Sequence, residues 1–157
     1  MDSIRSEMDD QGMESAAERV ARARGLVRGE AAGAAFVYPK AFSFLGDVDM
    51  ETGVVIARGH ELEGESIAGR VMIYPETKGS SGGCIVLMTL AKTGMQPAAI
   101  VLQKPADPNI VEGAILAGIP LLCEPDIDVV SAIPHGARVA VSSEGGGAGE
   151  IRWEVAN

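Results

Sequence analysis

The chain has 157 residues, enough for one domain with a real core and too few for two comfortable ones. Hydrophobic residues make up 46% and aromatics only 4%, so the core has to be built from Val, Ile, Leu, Ala and Met. A formal net charge of −9 repels phosphate backbones and anionic membrane surfaces, and no apolar run approaches the ~18 residues of a spanning helix, which argues for a cytoplasmic protein with neither nucleic-acid nor membrane partners.

Residues 1–20 are polar and acidic and read as a flexible tail whose one helix-forming stretch is ESAAERVARA; a single domain is expected over 21–157. From Ala21 the segments ARARGLVRG and AAGAAFVYP alternate partially and are split by glycines, the pattern of a hairpin or of two strands. GDVDMETGVVIARGHELEG reads as a turn, a short strand and a second turn. After this β-rich first third, GRVMIYP is a strand-length apolar run, SSGGCIVLMTLAKTG a helix with Gly94 as its C-terminal cap, and AAIVLQ a strand. DPNIVEGAILAG is a short helix opened by Asp107 and Pro108 in N-cap and N1 style, and IPLLCE is a strand. A further short segment, PDIDVVSAI, precedes two more strands, ARVAVSS and EIRWEV. The β-α-β-α-β order predicts an α/β fold with parallel strands joined by right-handed crossovers.

On this map Lys78-Gly79-Ser80-Ser81-Gly82-Gly83 falls where a strand gives way to a helix. The first turn of a helix leaves N–H groups unpaired and carries about half a positive charge, so a carboxylate or phosphate can dock there. The glycines let a ligand approach the backbone, and two hydroxyls point at the same spot. A plain N-cap serine in a glycine-rich turn fits the local pattern equally well. A P-loop does not, because the lysine precedes the glycines. Gly79-Ser80-Ser81-Gly82-Gly83 also satisfies the G-x-S-x-G nucleophile elbow around Ser81, with Asp126 or Asp128 and then His135 following in triad order. Against a serine hydrolase, Pro75 to Lys78 separate strand from motif where an elbow needs an abrupt turn. In a third reading a serine acts as a base, its alkoxide favoured by the helix N-terminus and by Lys78.

Other residues have plainer readings. His60 lies in a polar turn between Gly59 and Glu61, and His135 is a loop residue. Asp47, Asp49 and Glu51 alternate, but the EF-hand glycine and glutamate are missing. Cys84 and Cys123 sit in apolar stretches as reduced, buried thiols. Two cysteines are too few for an iron–sulfur cluster, so any such chemistry must borrow ligands from another chain. Phe42 and Phe44 stand out in an aromatic-poor chain as candidate partner-facing anchors. Lys104 follows a strand at the carboxyl end, where open α/β sheets place ligands, and is a candidate for a substrate carboxylate.

KGSSGG with its apolar helix, QPAAIVLQKPADPNIVEGAILAGIPLL and the earlier AFSFLGDVDMETGVVIARGHELEGESIAGRVMIYP together resemble the swivel domain of the aconitase X family, from about Gly25 to Gly145. The resemblance implies a swivelling β/β/α domain that serves as a small subunit. A larger partner would hold an iron or iron–sulfur cofactor, and this chain would hold no metal alone. By likeness to classical aconitases, Ser80 becomes the catalytic base; Lys78, Gly79, Ser81 and Gly82, from their place at the helix start, and Lys104, from its place after a strand, are the candidates around a small carboxylate substrate. An arginine follows the serines in classical aconitases; here Gly82 stands in its place. The implied reaction is loss of water, from cis-3-hydroxy-L-proline (giving pyrroline-2-carboxylate) in bacteria or from phosphomevalonate in archaea. The KGSSGGC wording and the scarcity of basic residues point to hydroxyproline. Phosphomevalonate, a Ser81 hydrolase and a non-catalytic binding domain are the alternatives.

Overall fold

In a computed structural model, which describes residues 16–59, 61–78 and 82–156, the elements in chain order are β1 (Ala16–Val27), β2 (Gly29–Val37), α1 (Phe44–Asp47), β3 (Val71–Tyr74), α2 (Gly83–Lys92), β4 (Ala99–Leu102), α3 (Pro108–Ala117), β5 (Leu121–Cys123), α4 (Val129–Ala132), β6 (Arg138–Ser143) and β7 (Gly147–Ala156). The strands close into a barrel in the order β1-β5-β4-β3-β2-β6-β7. β2, β3, β4 and β5 form a parallel arc, and β6, β7 and β1 an antiparallel one.

The parallel arc follows from its sequence. VMIY and AIVL are apolar throughout and buried throughout, as strands covered on both faces must be. Val71, Ile73, Ala99 and Val101 face one core, shared with Val139, Val141, Ile151 and Trp153 of the antiparallel arc. Met72, Tyr74, Ile100 and Leu102 face the other, against Val86, Leu87 and Leu90 of α2 and Ile110 and Ala114 of α3. The two helices lie close enough that a Cβ on Gly113 would meet Cys84 Cα at 2.8 Å. α3 starts as its sequence predicts: Asp107 caps it, accepting the Ile110 N–H at 3.1 Å, and Pro108 occupies the first turn. No helix among the described residues is long and apolar enough to cross a membrane.

One expectation needs correction, and one alternative is decided. The stretch ESAAERVARA is strand, not helix, from Ala16 onward, so 16–20 belong to the barrel; residues 1–15 lie outside the described residues. Its alanines favour a helix, but β1 pairs with β7 from Ala16↔Ala156 to Gly25↔Gly147, and Ala21 is buried in the core, so tertiary pairing overrides local propensity. The first two strands also do not form a hairpin. They are the two separate strands of the other reading: the end of β1, from Arg24 to Val27, pairs with β5 across a register shift between Gly25 and Val27, while β2 pairs with β3 and β6.

Candidate active site

The carboxyl ends of β2, β3 and β4 lie side by side, and a lysine follows each of them: Lys40, Lys78 and Lys104. The connection after β3 is held to the one after β2. The Phe42 N–H donates to the Glu76 carbonyl (3.0 Å), and the Lys78 N–H donates to the Phe42 carbonyl (2.7 Å). This extended pairing runs up to Lys78, the opposite of the abrupt turn that a nucleophile elbow requires.

Gly79, Ser80 and Ser81, like His60, lie outside the described residues; Lys78 and Gly82 on either side of the serine pair are placed. Gly82 is the N-cap of α2 at φ 107°, a left-handed conformation that favours glycine. A Cβ there would lie 2.8 Å from Leu45 Cβ. No arginine fits where classical aconitases carry one, for reasons of backbone and space together. The first turn of α2 gives one amide to its neighbour: the Cys84 N–H donates to Asn109 Oδ1 of α3 at 3.1 Å. Sequence reasoning missed Asn109, whose role depends on a helix–helix contact with no local signature. Cys84 is half-buried, its Sγ 3.9 Å from Met88 Sδ, and Cys123 is buried, its thiol pushed up by desolvation.

Lys78 Nζ lies 3.8 Å from Asp47 Oδ2, and Asp47 is itself buried, the same oxygen accepting the Ser43 N–H at 2.9 Å. Lys104 Nζ lies 3.4 Å from Glu76 Oε2, and the Lys104 N–H donates to the Pro75 carbonyl at 3.0 Å. At the end of β3, the Tyr74 and Thr77 hydroxyls are buried beside each other without a hydrogen bond of good geometry; burial above all, and then the charge of Asp107, pushes the phenol up and keeps it protonated.

Lys78 and Asp47 also line an open cleft of about 750 Å³, with Tyr38, Lys40, Arg58, Glu61 and His135 among its other walls. Burial first, then the Asp47 charge, raises Tyr38. Lys40 and Arg58 were missed in the sequence. Lys40 follows a strand just as Lys104 does, so the reasoning applied to one would have found the other; Arg58 comes to the cleft only through the fold.

His135 is occupied elsewhere. Its Nδ1 accepts the Val37 N–H (3.1 Å), which leaves the proton on Nε2, and Nε2 donates to Glu65 Oε1 (2.9 Å). Arg70 binds the same carboxylate oxygen at 2.8 Å, so the 3.3 Å approach of Arg70 to Nε2 sets donor against donor and is not a hydrogen bond. The Arg70 hydrogen bond foremost, then that of His135, holds the Glu65 carboxyl below the usual carboxylate range. Neither triad carboxylate reaches His135: Asp126 accepts the Arg22 N–H, and Asp128 caps α4 through Ser131. The pairing of His135 with Asp126 or Asp128 that the hydrolase reading requires is therefore not made; the histidine's carboxylate partner is Glu65.

Phe42 and Phe44 are core residues, not partner-facing anchors. They are 0% and 1% exposed, and Phe42 lies 5.3 Å from the rings of both Phe44 and Tyr38 and 5.9 Å from Phe36, edge to face. Asp49, of the acidic alternation, accepts the N–H groups of Glu51 and Thr52 in its own turn. Among the described residues no group of three or more His, Cys, Asp or Glu side chains could hold a metal ion, and the two thiols do not fit an iron–sulfur centre, so no chemical step of such a centre is assigned to this chain.

A closed barrel with a helix-covered parallel arc, whose strand ends lead into Lys40, Lys78 and Lys104, is the architecture of a swivel-type domain. The chain belongs to the aconitase X swivel domain family, whose model matches residues 20–151. It is similar to the phosphomevalonate dehydratase small subunits of Pyrococcus furiosus, 40% identical over 80% of this chain and 90% of the relative, and of Archaeoglobus fulgidus, 42% identical over 78% and 92%. Among solved structures, the holo-form of Thermococcus kodakaraensis aconitase X superposes with a TM-score of 0.77 at 35% identity, over 86% of this chain and 98% of that one. The solution structure of a UPF0107 protein gives 0.76 at 38% identity, over 85% and 97%.

Proposed function

We propose that this chain is the small subunit of an aconitase X-type dehydratase in the cytoplasm, and that Ser80 is the base that takes the proton α to the substrate carboxylate. The observation that carries the reading is Gly82, a left-handed N-cap pressed against Leu45, which opens α2 with bare backbone directly after the serine pair. Helix amides and Lys78 favour a negative oxygen there, whether the seryl alkoxide or the docked carboxylate. Lys104, on the next strand, is the second candidate for the carboxylate. A larger partner subunit would hold the iron or iron–sulfur centre, and departure of the hydroxyl belongs to that subunit.

For the substrate we favour phosphomevalonate over cis-3-hydroxy-L-proline. The hydroxyproline expectation drew on a scarcity of basic residues, yet the fold collects Lys40, Arg58 and Lys78 on one cleft. Both relatives described above are named for phosphomevalonate.

The test is to assay water loss from both compounds with the chain assembled on its large subunit. Ser80→Ala should lower kcat on the preferred substrate by about 10²–10⁴-fold with assembly intact. Near-normal turnover would remove Ser80 from the mechanism. An intact complex inactive on both compounds would make this chain a binding module.

A further inference from the structure

We propose that Lys40 and Arg58 form the subsite for the phosphate of a phosphorylated substrate, an inference that rests on the substrate favoured above. The two side chains come from separate parts of the chain. Lys40 follows β2, and Arg58 sits in the loop that returns from the Val48–Val55 bridge. Both line the cleft that Lys78 borders, and both are exposed.

The charges around the cleft sort themselves by partner. Asp47 is buried, bonded by the Ser43 N–H, and answers Lys78. His135 is bound to Val37 and Glu65. Lys40 and Arg58 have no ion-pair partner among the described residues, and Glu61 is the one other carboxylate on the lining. Among the described residues the cleft therefore offers two cations without an ion-pair partner against one exposed acid, in a chain whose formal net charge is −9.

A phosphate monoester carries nearly two negative charges near neutral pH, and a guanidinium fork and a lysine point charge on the lining of one cleft are suitable groups for it. The substrate carboxylate has other candidate partners, the start of α2 with Lys78 and Lys104, each of which would exchange its present carboxylate neighbour, Asp47 or Glu76, for the substrate's. Hydroxyproline does not need Lys40 and Arg58: it is a zwitterion with one carboxylate and a ring ammonium, which two further cations would repel. The subsite thus becomes the part of this subunit that tells the two substrates apart.

The experiment is steady-state kinetics of the assembled enzyme with Lys40→Gln, Arg58→Gln and Lys40→Arg. Each Gln variant should raise KM for phosphomevalonate by about 10-fold or more at nearly constant kcat, since a contact shared by ground and transition states is lost. Lys40→Arg should restore most of the affinity. Inorganic phosphate should compete with substrate in the wild type and lose potency in both Gln variants. Thermal midpoints should stay at the wild-type value, because both side chains are exposed. Wild-type KM values in the Gln variants, with phosphomevalonate still turned over, would overturn the subsite alone and leave the substrate reading standing. A wild-type complex without activity on phosphomevalonate would remove reading and subsite together.

Discussion

Along β3 and β4 every residue is buried, whereas along β6 exposed and buried residues alternate from Arg138 to Val141. The parallel arc is covered on both faces, by the barrel interior and by α2 and α3, so the ends of its strands are left to meet a ligand. Lys40, Lys78 and Lys104 sit at those ends, which is where parallel sheets carry their chemistry. The antiparallel arc has a free outer face, and a shallow groove there is lined by Glu30, Ala140, Ser142, Glu150 and Arg152. Its cation is spent: Arg152 holds Glu150 through two nitrogens, at 2.8 and 2.6 Å. A groove with committed charges is surface, and a cleft with uncommitted ones is a candidate site.

The strongest way to break this contrast is through the packing that holds the parallel arc. Leu102 is fully buried in the helix-facing core just before the connection that carries Lys104. Leu102→Ala should cost about 2–5 kcal/mol in urea unfolding, as truncation in a close-packed core does. A cost under about 1 kcal/mol would mean that α2 and α3 are loosely seated and that the strand ends are not a rigid platform.

How much of this was visible in the residues differs between the two arcs for the same reason. VMIY, AIVL, the Asp107-Pro108 start of α3 and Gly94, which follows the Thr93 C-cap of α2 at φ 76°, carry local signals that hold whatever surrounds them. β1 does not, since its alanines become strand only when β7 is beside them. Phe42 and Phe44 alternate in the same way whether they face a partner or a core, and only the cluster with Phe36, Tyr38 and Tyr74 decides. At the site, Lys78 and Lys104 were legible from their position after strands. Lys40 was open to the same reasoning, whereas the arrival of Arg58 on its cleft and the contact of Gly82 with Leu45 are made by topology, with no spacing to betray them.

A second, smaller effect concerns the cluster that takes His135 out of the chemistry. The Glu65 carboxyl is held low in the folded chain by Arg70 and then by His135, so its contribution to stability is complete above the unfolded value of about 4.3 and is lost as pH falls through the lower folded value. Glu65 is 38% exposed, so solvent screening limits the pair to about 1 kcal/mol at neutral pH. Glu65→Gln should be less stable than wild type by that amount at pH 7, and the two stability curves should converge in acid. A gap that persists unchanged to about pH 3 would show that Glu65 acts through packing and not through charge.

The smallest effect is expected on the antiparallel face, where the ion pair looks best by distance alone. Arg152 approaches Glu150 more closely than Lys78 approaches Asp47, yet its carboxylate partner lies two residues along the same strand and its surroundings are open water. Ion pairing there exchanges one well-solvated state for another and ties down a long side chain, so little is gained on folding. Arg152→Ala should leave the thermal midpoint within about 2 °C of wild type and dehydratase kinetics unchanged. A larger loss of stability would mean that the outer face of the barrel is not the free surface that its alternation implies. A loss of activity at normal stability would move a binding role to the antiparallel arc and reverse the comparison.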